Sequence, residues 1–419
     1  MTTDRTNWAG SFSYDARRVH APRSEDELRE IVAASTRVRA LGSRHSFSQV
    51  ANTDGDLVSL ADLPRTVSVD AAGSTVTVAA GMRYGEVCRE LHEHGFAMHN
   101  LGSLPHISMA GAVATATHGS GDGNASLASA VSALEMVTAD GELVTVDRDA
   151  DAERFGGMVV ALGALGIVVR MTLDVVPTFE VRQDVYEGLA LDTFEKNADE
   201  IFAGAYSVSL FTDFVAPTMT AWLKSRVDDV DPAGPDPDWM GARRAASAHH
   251  PVPGMSAESC TGQLGVPGPW YDRLPHFRLD FTPSNGAELQ SEYLVPRAAA
   301  ADALRALHGI GEHIAPVLQI CELRTVAADE QWLSPAYRQD VVAFHFTWVR
   351  DAAAVMPVLK LMEQQLAPYY ARPHWGKLFT HEPGHLRSLF PRLSDFRALR
   401  HELDPRGTFG NAFVDQHIG

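Results

Sequence analysis

Segments of this chain combine residue types that do chemistry at spacings that could bring them together. Gly42-Ser43-Arg44-His45-Ser46-Phe47 sets a histidine in a turn of small residues, directly after a predicted strand. Such a turn holds the ring on a scaffold and lets a flat ligand approach the backbone. The competing reading is an ordinary exposed loop histidine, which spacing alone favours. Leu101 to Gly121 is rich in Gly, Ala, Ser and Thr, holds His106 and His118, and carries almost no charge. It can offer backbone N–H groups and hydroxyls to a phosphate, or serve simply as a packing segment. It contains neither a Walker loop nor a dinucleotide fingerprint.

Glu322-Leu323-Arg324 lies on a predicted strand, so Glu322 and Arg324 share a face, their Cα atoms roughly 7 Å apart. They read either as a surface ion pair or as site groups. On the next predicted strand, Phe344-His345-Phe346-Thr347-Trp348 puts His345 and Thr347 on one face by the same alternation. If the two strands pair, four polar groups line one wall. Arg372-Pro373-His374-Trp375-Gly376-Lys377 reads as a turn with a histidine and a lysine beside an aromatic. His381-Glu382-Pro383-Gly384-His385 matches the zinc-protease pattern H-E-x-x-H. Pro and Gly in its middle argue against the helix that mechanism needs, and no metal site is expected.

Predicted elements must position these groups. Ser24-x-x-Glu27 is a capping-box signal for a helix from about Glu25, and Val38 to Leu41 reads as a strand. Thr66 to Val69 and Thr75 to Val78 form a predicted hairpin, and Arg83 to His94 a helix capped by Gly95. Leu134 to Val137 and Glu142 to Val146 flank Asp140-Gly141, a second hairpin signal. Strands follow over Ile167 to Val169 and Met171 to Val175, and Pro177 breaks the pattern. Beyond it, helices are expected over Asp192 to Ala205, Arg297 to Ile314 and Ala352 to Leu366, with strands over Leu318 to Val326 and Val341 to Val349. The pattern is α+β, with one antiparallel sheet and helices on one face. The Pro-, Asp- and Ala-rich stretch from Val227 to Met255 reads as a surface loop or lid.

At 419 residues, two or three domains are expected. A net charge of −18 argues against a nucleic-acid partner and suits a small neutral substrate. Three cysteines without regular spacing suggest neither a disulfide framework nor a zinc site, and favour a cytoplasmic setting. The first residues lack the apolar core of a signal peptide, and the longest apolar run, Gly156 to Val169, is too short to span a bilayer. No membrane partner is expected.

Taken together, GSRHSF, SLPHISMAG, ATATHGSG, LGALGIV, CELRTVAA, HFTW and RPHWGK, in that order from Trp8 to Phe413, resemble the vanillyl-alcohol-oxidase-type flavoproteins. The likeness is greatest to the members that oxidise alditols, then to those that oxidise sugar lactones. The resemblance implies an FAD-binding domain over residues 1–177, a substrate-binding cap domain over 178–377 and a segment, 378–419, returning to the first. It implies FAD bonded through its 8α-methyl carbon to His45, with Ala40, Leu41, Gly42, Ser43, Arg44 and Ser46 around it. The family often has Gly where this chain has Arg44. Thr115, Ala116, Thr117 and His118 would face the pyrophosphate, with Ser108 and Gly111 nearby. Ile167 would lie against the adenosine, and His374 would touch the flavin. Ser103, Glu322, Arg324, Thr347 and Lys377 would form the substrate wall. Lys377 and His345 would handle the hydroxyl proton, with Glu322 and Arg324 orienting the substrate. Gly102 would leave room for O2. The implied reaction oxidises a primary alcohol of an alditol by hydride transfer to flavin N5, giving H2O2; a monomer is expected.

Overall fold

The computed structural model describes residues 5–229, 236–281 and 287–419. Near the N-terminus, Ser24 accepts from the Glu27 N–H and starts the helix Glu25–Ala34, whose Leu28 and Val32 turn inward. Glu27 reaches back to the N–H of Arg23, one residue before the cap, so the expected capping box is displaced by one position. Arg18–His20, Asp56–Ser59 and Val38–Leu41 form a small parallel sheet. Both predicted hairpins are present in a five-stranded antiparallel sheet, ordered Val67–Asp70, Thr75–Ala79, Ile167–Asp174, Val131–Val137, Leu143–Asp147. Gly141 turns the second hairpin at φ +77°, a conformation other residues adopt at a cost. The two strand pieces expected at 167–175 are one continuous strand.

The apolar run from Gly156 splits between the end of the helix Ala152–Val159 and that strand, and packs into the core. Among the described residues, no helix is long and apolar enough to cross a membrane. The C-terminal helices Pro383–Leu389, Leu393–Leu403 and Ala412–His417 send Leu386, Phe396 and Val414 into the same core.

Between these parts runs a ten-stranded sheet through Glu180–Ala190, Thr218–Arg226, Ser207–Thr212, Leu318–Val326, Val341–Val349 and Glu288–Pro296, all antiparallel to their neighbours. Leu191–Phe202, Ala300–His308 and Ala352–Leu366 cover one face, so the α+β expectation with helices on one side holds. The helix expected over 297–314 is two, Ala300–His308 and Gly311–Ile314. Alternation sorts each strand. Cys321 and Leu323, with Val342, Phe344, Phe346 and Trp348, pack under the helices. Glu322, Arg324, His345 and Thr347 take the other face and line a cleft.

Within the stretch expected as a loop over 227–255, Asp238–Trp239 and Ala242–Arg244 pair at the sheet's edge; residues 230–235 lie outside the described residues. His381 precedes the helix that Pro383 begins, so the H-E-x-x-H histidines do not share a helix face. All three cysteines are buried and unpaired.

Candidate active site

A continuous cleft runs from the 39–46 turn, past Gly102 to His118, to the bare face of the large sheet. At the near end, Ser43 and Ser108 exchange bonds: the Ser43 N–H donates to Ser108 Oγ at 3.2 Å, and the Ser108 N–H to Ser43 Oγ at 2.9 Å. The exchange leaves no space for a larger residue at Gly42, where a Cβ would stand 2.4 Å from Ser108 Oγ. Arg44 then adopts φ +65°, a left-handed conformation that suits glycine better.

This turn presents His45 to the cleft. Trp8 stacks on its ring, with centroids 5.2 Å apart and planes 18° from parallel. Neither ring nitrogen has a hydrogen-bond partner, although both are out of solvent. Burial, then the charge of His106, lowers its pKa to about 3. A neutral, desolvated and unpartnered imidazole is poorly placed as a structural group. It suits a nucleophile that forms a bond to a ligand.

Ala40 to Ser46, Ser103, Ser108, Gly111, Thr115, Thr117, His118 and His374 all line the cleft. The side chains of Ala116 and Ile167 do not; they turn into the core, so only their backbones can meet a ligand. Ala116 is left-handed at φ +56°, which bends the chain sharply between Thr115 and Thr117. A flat, extended group with phosphates therefore fits the residues present: small side chains along the cleft and a free imidazole at one end.

The turn is also tied to the segment from Arg372 to Lys377. The Phe47 N–H donates to the Gly376 carbonyl at 2.7 Å, and Ser48 Oγ to the Trp375 carbonyl at 2.6 Å. Trp375 is fully buried and donates to the Leu333 carbonyl. His374 Nδ1 accepts from the Gly376 N–H at 3.1 Å, and its ring lies 6.2 Å from that of His118. Burial, then Lys377, lowers the His374 pKa well below its usual value.

On the sheet, strand register lays Phe211, Glu322, His345 and Glu292 side by side across four strands. Glu292 is the centre of the charge network and was not anticipated from sequence. Its Oε2 accepts from Lys377 Nζ at 2.6 Å and its Oε1 from Arg324 Nη2 at 2.7 Å. His118 Nε2 is 3.4 Å from Oε1. Burial alone would raise this carboxyl, but Lys377, His118 and Arg324 together hold it well below the usual range.

Lys377 Nζ also lies 2.6 Å from His345 Nδ1, while His345 Nε2 lies 3.4 Å from Thr347 Oγ1. Burial, then Lys377, lowers the His345 pKa to about 3, and burial lowers that of Lys377 against the pull of Glu292. Arg324 Nη1 donates to Ser103 Oγ at 3.2 Å, and Arg324 Nε is 3.6 Å from Glu322 Oε2. For Glu322 too, burial works upward, and Arg324 and His276 outweigh it, holding the carboxyl below its usual range. Two carboxylates, Glu292 and Glu322, thus face two cations, Arg324 and Lys377, around the neutral rings of His345 and His276, a wall rich in hydrogen-bond groups.

Every residue expected on the substrate wall lines this cleft, together with the unanticipated Gln290, Glu292 and His276. Glu292 had a signal: Leu289, Tyr293 and Val295 alternate with Gln290, Glu292 and Leu294, a period-two strand with a polar half-face. Among the described residues, no group of three His, Cys, Asp or Glu could hold a metal ion.

Residues 16–147 match the family model of the FAD binding domain, and residues 286–417 that of D-arabinono-1,4-lactone oxidase. The chain is 52% identical over 99% of both lengths to an alditol oxidase of Streptomyces sp. (strain IKD472 / FERM P-14339). It is 29% identical, again over 99% of both, to an L-gulono-1,4-lactone dehydrogenase of Mycobacterium tuberculosis. Cholesterol oxidase from B. sterolicum superposes with a TM-score of 0.80 at 14% identity, over 99% of this chain and 96% of that one, a likeness of fold alone.

Proposed function

The chain belongs to the vanillyl-alcohol-oxidase-type FAD flavoproteins, and from that premise we propose that it oxidises a primary alcohol of an alditol to the aldose, with O2 reduced to H2O2. One observation carries the reading: a buried wall of charge-balanced hydrogen-bond groups faces the flavin cleft, an environment for a neutral polyhydroxy chain. The identity with the Streptomyces alditol oxidase over nearly the whole chain supports it.

His45 would hold the FAD covalently, which its unpartnered ring nitrogens favour. A bound FAD would supply the hydride acceptor and the route for electrons to O2. The protein's part is binding, orientation and proton handling. Glu322, Arg324, Thr347 and Ser103 bind the substrate hydroxyls and set which carbon faces the cleft. Burial favours the free amine of Lys377, and in that form the Lys377–His345 pair, 2.6 Å apart, takes the reacting hydroxyl's proton on Lys377 Nζ. Glu292, 2.6 Å away, balances the ammonium that forms.

Two measurements test this. Acid precipitation should leave a yellow pellet from the wild type and a colourless one from His45→Ala; flavin washing free of the wild type would sink the covalent link. A substrate panel under air with peroxide detection should favour alditols over sugar lactones. Lactone preference, or turnover only with an artificial acceptor, would replace the proposed activity with that of the lactone relatives.

A further inference from the structure

Behind the substrate wall lies a buried polar chain that the proposed chemistry leaves unused. Lys224 stands on the strand Thr218–Arg226, fully out of solvent. No carboxylate lies within ion-pair distance of it among the described residues. It donates instead to the carbonyls of Leu274 and Pro275, the latter at 3.1 Å, and lies 3.0 Å from His276 Nδ1. His276 Nε2 in turn lies 2.7 Å from Glu322 Oε1.

The chemistry of the groups fixes the direction of this chain. The ionised Glu322 carboxylate only accepts, so the neutral His276 ring carries its proton on Nε2, and Nδ1 is left to accept from Lys224 Nζ, which donates whether charged or not. That proton is given to Glu322 Oε1. Phe211 and Trp222 pack edge-on against the His276 ring, with centroids 5.8 and 5.1 Å away, and hold its plane. With Oε1 occupied, Oε2 is the Glu322 oxygen left to meet Arg324 and the cleft. A buried ammonium is costly, and a methionine of similar length would fill the same space, so packing alone does not account for a lysine here.

We propose that Lys224 is a positioning residue: acting through His276, it fixes which oxygen of Glu322 is free to accept a substrate hydroxyl, and so sets alditol binding. The proposal rests on the reading of Glu322 as a substrate-binding group.

Steady-state kinetics of the holoenzyme with xylitol test it, using Lys224→Met, His276→Phe, the double variant and Glu322→Gln. Losing one charge-assisted bond should raise KM about tenfold in Lys224→Met, while kcat changes less than about threefold and FAD content is unchanged. The double variant should be no worse than His276→Phe alone, because both act through one chain. A KM within about twofold of wild type in Lys224→Met, or effects that multiply in the double variant, would overturn the proposal. If Glu322→Gln leaves KM unchanged, the substrate-wall reading and this proposal fall together; if only Lys224→Met is silent, the proposal falls alone. Should Lys224→Met not fold, nitrogen-15 spectra of histidine-labelled wild type decide, with His276 assigned through His276→Phe. A ring protonated at Nε2 is expected, and one protonated at Nδ1 overturns the assignment.

Discussion

Removing the Glu292 carboxylate would leave Lys377 and Arg324 buried together without the group that both contact. Breaking a buried pair by deleting one partner costs about 3–5 kcal/mol. Glu292→Ala should therefore lose stability of that order in urea unfolding, and Glu292→Gln less, since the amide oxygen still accepts. A silent Glu292→Ala would show that water enters the site readily and screens the two cations. Lys377→Met separates stability from chemistry. It removes one half of the proposed proton-handling pair and should lower kcat by about 10²–10⁴-fold with flavin still bound. Near-normal turnover would take Lys377 out of the reaction. Gly102 tests the oxygen path. A Cβ there would sit 3.5 Å from Thr117 Cγ2, ordinary contact, so Gly102→Ala should fold normally. If O2 reaches the flavin past this point, peroxide formation slows while reduction of an artificial dye does not; equal slowing of both would exclude that route.

The His45 turn is an element whose geometry is decided by neighbours far away in sequence. Ser108 locks one end and the Trp375–Gly376 carbonyls the other. Gly42→Ala would drive a Cβ into Ser108 Oγ and tilt the turn. The expected result is folded protein whose acid pellet holds much less flavin than wild type; full covalent loading would mean the turn tolerates the shift. Such distant partners explain what could be read in advance. The strands Leu318–Val326 and Val341–Val349 and the helix Ala352–Leu366 match their expected bounds, because each shows one strong period. The strands at 180–190, 207–212, 218–226 and 288–296 lie outside the expected elements. Their inward faces carry Lys224, Gln290 and Glu292, whose polarity reads as surface until the opposing wall is known. The motif residues of the site were legible as a set, but their ion-pair partners were not. Alternation names a face of a strand, and only register brings Glu292 beside His345.

At the scale of the molecule, the site's buried bases set how stability responds to pH. His345 and His276 have folded pKa values of about 3 and about 4, below the ordinary histidine value of 6.5. The unfolded chain therefore takes up protons first as pH falls. Stability from keeping these rings neutral is complete above 6.5 and is lost on the way down to about 4 and 3, by at most about 1.4 kcal/mol per pH unit for each group. The carboxyls of Glu292 and Glu322, held below their usual range, add a loss of the same sign once pH drops below about 4.5. Lys224 acts at the other end. Its pKa falls from 10.5 to about 7, so between those values the unfolded chain again binds more protons, and stability rises with pH. The acid limb should thus begin near pH 6.5, well above the carboxylate range, and the optimum should lie on the alkaline side of neutrality. Urea midpoints from pH 4 to 10 measure both limbs, with the holoenzyme used throughout so that flavin binding is constant. Lys224→Met should flatten the rise above pH 7 and leave the acid limb in place. An optimum near pH 5, or an unchanged alkaline rise in that variant, would mean that water reaches these groups and that the wall is far less sealed than its packing suggests.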